Sequence, residues 1–251
     1  MNLTSVMVNQ RFWEIDTLRG ISISMMIIYH IIFDAVFLNI LQINLHSIPL
    51  RIFLYPIGTI FLFLVGLCLP ISYHYAQDTV PQKKLFKKIF VRGLSIFGIG
   101  LIITAITYFL IGRGFIIFGV LHCIGLSIIL AYPFLTKLYP SIIAGFSIIL
   151  IGIMLRMVTW DFPWLLWLGF VPNDFYTLDY FPLFPWFGVI LIGVACSNRF
   201  YTNGKRQFSL PDWSRFPFFR FLSILGRHSL FIYVMHQPII LGLFFLFFDI
   251  N

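Results

Sequence analysis

Residues 18–40 read LRGISISMMIIYHIIFDAVFLNI, and this long apolar run decides the class of fold. Arg19, His30 and Asp34 are the only charged or imidazole side chains within it. A transmembrane helix needs about 20 apolar residues to cross about 30 Å of hydrocarbon, and this stretch is long enough. The preceding MNLTSVMVNQ lacks the basic start and apolar core of a cleavable signal peptide. We therefore predict that residues 18–40 form an uncleaved first span.

Six more apolar stretches follow, and they predict an all-α, polytopic transmembrane helical bundle of about seven spans. Of the 251 residues, 60% are hydrophobic and 10% are charged, whereas a soluble domain carries about 25% charged residues. The mean hydropathy of +0.95 likewise excludes a soluble globular protein. The apolar runs are continuous rather than alternating, which excludes a β-barrel. We expect a single domain over residues 1–251, with spans at 18–40, 52–73, 89–111, 115–135, 142–158, 183–197 and 229–247.

The distribution of basic residues predicts the orientation of these spans. Cytoplasmic loops keep Lys and Arg, and the strongest cluster lies between the second and third spans. With seven spans, only Arg51, Arg113 and Arg156 fall on the opposite side. We therefore predict a cytoplasmic N-terminus, an external C-terminus and a place in the plasma membrane. This topology accounts for the net charge of +8, so no nucleic-acid partner is expected. The cluster comprises Lys83, Lys84, Lys87, Lys88 and Arg92.

The stretch 159–181, TWDFPWLLWLGFVPNDFYTLDYF, is too interrupted by Pro163 and Pro172 to form a span. Its Trp and Tyr residues suit a segment in the outer interface or one shielded by the helix bundle. We interpret it as an outer lid or rim.

Ionisable residues on the first helix share one face. Taking about 100° per residue from Arg19, Asp16 and Asp34 fall at about 60° and His30 at about 20°. Such groups are costly within a bilayer and usually face a cavity or a partner. Asp34 lies four residues after His30, close enough to accept a hydrogen bond from the imidazole and fix its tautomer. The pair is therefore predicted to be a base with its orienting carboxylate.

Two further histidines are predicted to reach the same depth. His30 lies about 16 Å from Arg19 along the first helix, and His236 in the seventh span also approaches the middle of the bilayer. His122 enters from the outside in the fourth span. We expect the three imidazoles to form one polar layer, with Tyr233 on the face of His236 and a kink at Pro238.

Other interpretations of these residues stay open. A single histidine in a transmembrane helix is often a structural hydrogen-bond donor, and this applies most to His122. Three neutral imidazoles could also bind a metal, but no HxxxH or HExxH pair supports this, and no metal is expected. The basic cluster around Lys83 suits anionic lipid, although it could also hold the phosphates of a cytoplasmic donor.

Several motifs, in order along the chain, resemble the catalytic domain of the heparan-alpha-glucosaminide N-acetyltransferase family, in its short prokaryotic branch. The start of the chain is also similar to membrane acyltransferases that O-acetylate cell-surface sugars. The matching motifs are RFWEIDTLRG at 11–20, leading to His30 and Asp34, FLFLVG at 61–66, FGVLHCIG at 118–125, LDYFPL at 178–183, and GRHSL at 226–230, leading to Tyr233 and HQP at 236–238.

The resemblance implies a membrane acyltransferase that moves an acetyl group from cytoplasmic acetyl-CoA to a sugar amino or hydroxyl group on the extracytoplasmic side. His30 would act as general base or carry the acetyl group covalently. A cell-envelope glycan or glycolipid is the expected acceptor, and homo-oligomerisation stays open. The expected catalytic residues are His30, Asp34, His236 and His122, with Arg19 and Arg227 binding the donor, although Arg19 would more ordinarily pair with Asp16.

The acceptor is expected to contact Asp179, Tyr233 and His46. In lysosomal members of the family, the histidine proposed to carry the acetyl group follows the first span, and His46 is its counterpart here.

Two functions other than acyl transfer stay open. One is a proton-coupled transporter or flippase of a polar or glycolipid solute, with His30, Asp34 and His236 as the relay. The other is an assembly subunit with structural histidines.

Overall fold

The computed structural model describes residues 11–44, 47–160 and 162–247, and within them the chain is all-α, as predicted. Short 3₁₀ turns occupy Tyr132–Phe134, Pro163–Leu168 and Thr202–Gly204. The α-helices are α1 (Trp13–Phe37), α2 (Ile48–Gln77), α3 (Gln82–Ile111), α4 (Val120–Leu130), α5 (Leu138–Leu155), α6 (Leu183–Phe200), α7 (Pro217–Arg227) and α8 (Ser229–Phe247).

Six of these helices are long and apolar enough to cross a membrane: α1, α2, α3, α5, α6 and α8. The prediction of a polytopic helical bundle is therefore confirmed. The predicted fourth span, 115–135, differs, because it is α-helical only over the 11 residues of α4. A helix of that length is about 16 Å long, well short of the hydrocarbon thickness.

Residues 115–119, before α4, are not helical, and neighbouring segments satisfy several of their backbone groups. The Thr104 hydroxyl donates to the Ile116 carbonyl at 2.7 Å, and the Ile116 amide donates to Thr107 Oγ1 at 3.1 Å. The Phe181 amide donates to the Phe118 carbonyl at 2.9 Å. Irregular backbone is tolerated at membrane depth where protein groups replace the missing helical hydrogen bonds.

The chain from 115 to 135 nevertheless runs along most of α3. It begins beside Thr104, near the C-terminal end of α3. It ends where the Tyr132 ring meets the ring of Phe86, 5.0 Å away, in the first turns of α3. This segment therefore passes from one end of α3 to the other in the antiparallel direction, although only its central part is α-helical.

The chain divides into two compact units. The first comprises residues up to Leu64 together with those from Leu210 onward, and the second comprises Val65–Ser209. The expectation of a single domain over residues 1–251 stays a prediction.

In the first unit, α1 runs side by side with α7 and α8, in the same direction. Thr17 Oγ1 lies 2.9 Å from Ser223 Oγ, a pair separated by 206 residues. Further along, the rings of His30 and His236 lie 4.6 Å apart with the same separation in sequence. α7 and α8 together therefore form a broken helix that accompanies α1 along its length.

α1 and α7 approach so closely that their contact depends on two glycines. A Cβ at Gly20 would collide with the Leu222 carbonyl oxygen, and one at Gly226 would collide with the Asp16 carbonyl oxygen. These positions let the two backbones touch, which brings the side chains of Asp16 and Arg227 together at the start of α1.

α6 is the most buried of the candidate spans in the second unit. Ile190, Leu191 and Val194 are fully buried along it.

The segment 159–181 contains a 3₁₀ turn but, among its described residues, no helix long enough to span. The Tyr180 hydroxyl holds the segment in place by donating to the Leu166 carbonyl at 2.7 Å. Its role as a lid stays a prediction.

Candidate functional site

His30 presents a basic nitrogen because the backbone of its own helix fixes its tautomer. Nδ1 lies 2.8 Å from the Met26 carbonyl oxygen, one turn earlier in α1. A carbonyl oxygen can only accept a hydrogen bond, so Nδ1 carries the hydrogen. In the neutral ring the lone pair is therefore on Nε2, the nitrogen that a general base or nucleophile would use.

His236 repeats this arrangement on α8. Its Nδ1 lies 2.6 Å from the Tyr233 carbonyl oxygen, so Nε2 again holds the lone pair. This Nε2 is buried and has no hydrogen-bond partner among the described residues. The rings of His30 and His236 meet edge to face, with an interplanar angle of 77°. Two of the three predicted histidines thus lie together, on parallel helices.

Asp34 does not orient His30 as the sequence predicts. Its two carboxylate oxygens instead accept hydrogen bonds from Gln237 Nε2 at 2.8 and 2.9 Å. Asp34 is only 2% exposed, so a buried carboxylate is held by one neutral amide from the facing helix. The Met26 carbonyl performs the orienting role that was expected of Asp34.

Gln237 belongs to this cluster, although no role for it is predicted from the sequence. A polar residue directly after His236 in an apolar helix was the available signal. Its Oε1 is buried and lacks a partner within the described part of the chain, like His236 Nε2. Because both orphaned atoms are hydrogen-bond acceptors, the cluster is suited to a ligand that donates hydrogens, such as an amine or a hydroxyl group.

Aromatic rings flank the two histidines. The Tyr233 ring lies 5.6 Å from the His236 ring and stacks on Phe61 at 6.5 Å. The Tyr29 ring meets His30 edge to face at 5.2 Å. Tyr233 therefore lies at the site, as the spacing of three residues from His236 predicts.

At the start of α1, two arginines share one buried carboxylate. Arg227 Nε donates to Asp16 Oδ2 at 3.2 Å, and Arg19 Nη1 lies 3.9 Å from Asp16 Oδ1. Asp16 is 6% exposed, whereas the side chains of Arg19 and Arg227 are 25% and 45% exposed. The two guanidinium groups therefore share the Asp16 carboxylate and both remain partly open to solvent.

His122 lies in the second unit, where protein groups satisfy both of its ring nitrogens. The Gly119 amide donates to Nδ1 at 3.2 Å, so Nε2 carries the hydrogen and faces Thr104 Oγ1 at 3.4 Å. Its tautomer is thus opposite to that of His30 and His236. His122 is the third residue of α4, and its side chain caps the N-terminus of the helix by accepting the hydrogen bond from the Gly119 amide, as in a capping box.

Asp179 also closes α4. Its Oδ2 accepts a hydrogen bond from the Val120 amide at 3.0 Å, where the helix dipole favours negative charge. Burial raises the pKa of this carboxyl from 3.8 to about 6, although the Val120 amide acts in the opposite direction. The carboxyl therefore titrates close to physiological pH, in a segment outside the spanning helices.

His46 lies outside the described residues. Within the ranges that the structure describes, no three His, Cys, Asp or Glu side chains come close enough together to hold a metal ion.

Comparison with known proteins identifies a family. A family model described as heparan-alpha-glucosaminide N-acetyltransferase, catalytic, matches residues 11–238, which is most of the chain and includes His30, Asp34, His236 and Gln237. Neither a curated protein nor a solved structure matches the chain significantly.

Proposed function

The chain belongs to the heparan-alpha-glucosaminide N-acetyltransferase catalytic family, and we propose that it moves an acetyl group from cytoplasmic acetyl-CoA to a sugar amino or hydroxyl group across the membrane. The family supports acetyl transfer in general. The observation that carries the assignment of the site is the histidine pair, in which both Nδ1 atoms are engaged by carbonyls and both lone pairs are on Nε2.

His30 is the proposed general base. Its Nε2 takes the proton from the acceptor, the acceptor nitrogen or oxygen attacks the acetyl carbonyl carbon, and the carbon–sulfur bond breaks. The coenzyme A thiolate then recovers the proton from the imidazolium. Asp34, on the same face four residues later, stabilises the positive ring through its charge.

A covalent route uses the same atoms. Nε2 of one histidine attacks the thioester and releases the coenzyme A thiolate, and the acceptor then removes the acetyl group from the ring. The second imidazole accepts the acceptor's proton in that step. The ring separation of 4.6 Å supports either assignment, with His30 or His236 as the nucleophile and the other as the base.

Arg19 and Arg227 are the proposed anchor for the donor. Guanidinium groups suit phosphate, and both side chains are partly exposed beside Asp16. His30 is about 16 Å further along α1, a span that the extended arm between the phosphates and the thioester of acetyl-CoA would bridge. Asp179 and Tyr233 remain proposed contacts of the acceptor, whereas the hydrogen bonds of His122 favour a positioning role.

The test is donor binding and turnover by purified protein in detergent with radiolabelled acetyl-CoA. We compare the wild type with His30→Gln, His236→Gln and Asp34→Asn, and use His74→Gln as a matched control. His74 Nδ1 lies 3.1 Å from Gln77 Oε1, and His74 is not one of the proposed site residues. We expect saturable binding by all variants, with slow acetyl release that is lost in His30→Gln and kept in His74→Gln.

Absence of binding near millimolar acetyl-CoA would overturn the proposal. The histidine pair and the buried Asp34 would then favour the proton-coupled transporter or flippase. That function predicts solute movement in proteoliposomes without any acetyl donor, abolished by the same His30 substitution.

A further inference from the structure

The first two turns of α3 carry four lysines that the proposed reaction does not use. Lys83, Lys84, Lys87 and Lys88 are all exposed. None of them forms an ion pair with another residue in the described part of the chain. Together they form a strongly cationic surface with no protein partner there.

Two of these lysines share one face of α3 with large apolar side chains. Phe86 and Lys87 lie three and four residues after Lys83, and Phe90 and Leu94 lie three and seven residues after Lys87, so all five align on one face of the helix. Phe86, Phe90 and Leu94 are 47%, 39% and 52% exposed. We call this set of five residues the α3 outer face.

The opposite side of α3 faces the protein. Its buried residues, Leu85, Gly93 and Gly100, fall roughly 120–200° around the helix axis from Lys87. Gly93 packs against α4, where a Cβ would lie 2.6 Å from the Gly125 carbonyl oxygen. The α3 outer face is therefore directed away from α4, although the Phe86 ring at its edge also contacts the Tyr132 ring, 5.0 Å away.

The length of α3 places the lysines and the apolar side chains of the α3 outer face at different depths in the membrane. Its 30 residues make a helix of about 45 Å, whereas the hydrocarbon core is about 30 Å thick. Leu94 lies seven residues, or about 10 Å, beyond Lys87. When Leu94 is in the hydrocarbon, Lys83 and Lys87 are thus at the level of the lipid phosphates.

We propose that the α3 outer face is a binding site for an anionic phospholipid. The headgroup phosphate pairs with Lys83 and Lys87, and an acyl chain lies along Phe90 and Leu94. A soluble phosphorylated donor would use the lysines but leave the adjoining apolar side chains without a role. A lipid matches both halves of the surface, because charge and apolar groups are ordered along one face.

The test compares lipid retention by the full chain and its variants. Wild type, Lys83→Gln/Lys87→Gln and the charge-matched control Lys205→Gln/Arg206→Gln are reconstituted in vesicles of phosphatidylcholine and phosphatidylglycerol. After extraction in mild detergent, bound lipid is counted by mass spectrometry. We expect the α3 double variant to retain roughly tenfold less phosphatidylglycerol, with phosphatidylcholine unchanged and the control like wild type. Phe90→Ala should weaken retention of both lipids at this site.

Acetyl-CoA binding by the same variants distinguishes the two sources of phosphate. Unchanged acetyl-CoA affinity together with lost phosphatidylglycerol retention supports the lipid site. Weaker acetyl-CoA binding with normal lipid retention would assign the lysines to the donor and overturn the proposal. Normal retention and normal donor binding would overturn it as well, leaving the lysines a role in topology alone. The lipid measurement does not depend on whether the protein is an acetyltransferase.

Discussion

His30 and His236 obtain their reactive form from the backbone rather than from another side chain. Each Nδ1 hydrogen is held by a carbonyl three or four residues earlier on the same helix. A local bond of this kind fixes the tautomer without adding a second charge to the bilayer. The buried carboxylate of Asp34 is then free to balance a positive charge that develops during reaction, which is a different role from orienting the ring.

The contact between Asp34 and Gln237 should contribute strongly to stability. Gln237→Leu leaves a buried carboxylate without its partner, and the free energy of unfolding should fall by about 3 kcal/mol or more. Asp34→Asn keeps a polar pair and should cost about 1 kcal/mol. The double variant Asp34→Leu/Gln237→Leu should recover much of the loss. Thermal unfolding in detergent measures all three, and equal losses in Gln237→Leu and the double variant would refute the argument.

At Asp179 we predict a dependence of stability on pH. The folded-state pKa of about 6 exceeds the ordinary 3.8, so the folded protein binds this proton more tightly than the unfolded chain does. The contribution of Asp179 to the free energy of unfolding therefore falls as the pH rises from about 4 to about 6, and is level above that range.

Asp179→Asn removes this titration while keeping an oxygen for the Val120 amide. The variant should gain thermal stability relative to wild type as the pH rises through this window, in unfolding scans at pH 4, 5, 6 and 7 on the two proteins. A constant difference in melting temperature across these values would contradict the prediction.

At the scale of the helix, the contact between α1 and α7 predicts the effect of adding one methyl group. Gly20→Ala directs a Cβ into the Leu222 carbonyl oxygen, a backbone atom that cannot rotate away. We expect a loss of about 1–3 kcal/mol in the free energy of unfolding. Gly242→Ala in α8 is the matched control, because a Cβ there meets nothing within 4 Å. Similar unfolding curves for the two variants would show that the helices are not held at this distance.

The helices also show what the sequence could predict. Composition and apolar runs predicted an all-α membrane protein, because a helix satisfies the backbone hydrogen bonds of every span within the span itself. The start of α4 could not be predicted, since the non-helical backbone of residues 115–119 is held by Thr104, Thr107 and distant loop residues. Because α4 starts at Val120, His122 is at the third position of the helix rather than in its middle, and its side chain caps the helix.

The candidate site was predictable to a similar extent. The positions of His30 and His236 followed from helical spacing and depth. The hydrogen-bond partner of Asp34 could not be predicted. His30 is near on the same helix, whereas the observed partner, Gln237, is on another helix and 203 residues away in sequence. Helical periodicity describes neighbours on one helix and contains no information on which residue of a second helix lies opposite.

For the whole molecule, the parallel direction of α1 and α8 constrains the number of membrane crossings. Two parallel spans must begin on the same side, so the chain between them has to cross an odd number of times. Within the part of the chain that the structure describes, the long helices between them, α2, α3, α5 and α6, supply four crossings. The segment from 115 to 135 should therefore supply the fifth, which agrees with its antiparallel course along α3.

Single cysteines on either side of this segment test the argument. Cys68, Cys123 and Cys196 are first replaced by alanine, and a cysteine is then introduced at Arg113 or at Lys137. A membrane-impermeant maleimide should label Arg113→Cys in intact cells, but Lys137→Cys only after permeabilisation, because the predicted orientation places Lys137 in the cytoplasm with most of the basic residues. Labelling of both in intact cells would mean that the short helix turns back within the bilayer. The parallel pairing of α1 with α8, and with it the placement of His30 beside His236, would then be incompatible with six spans.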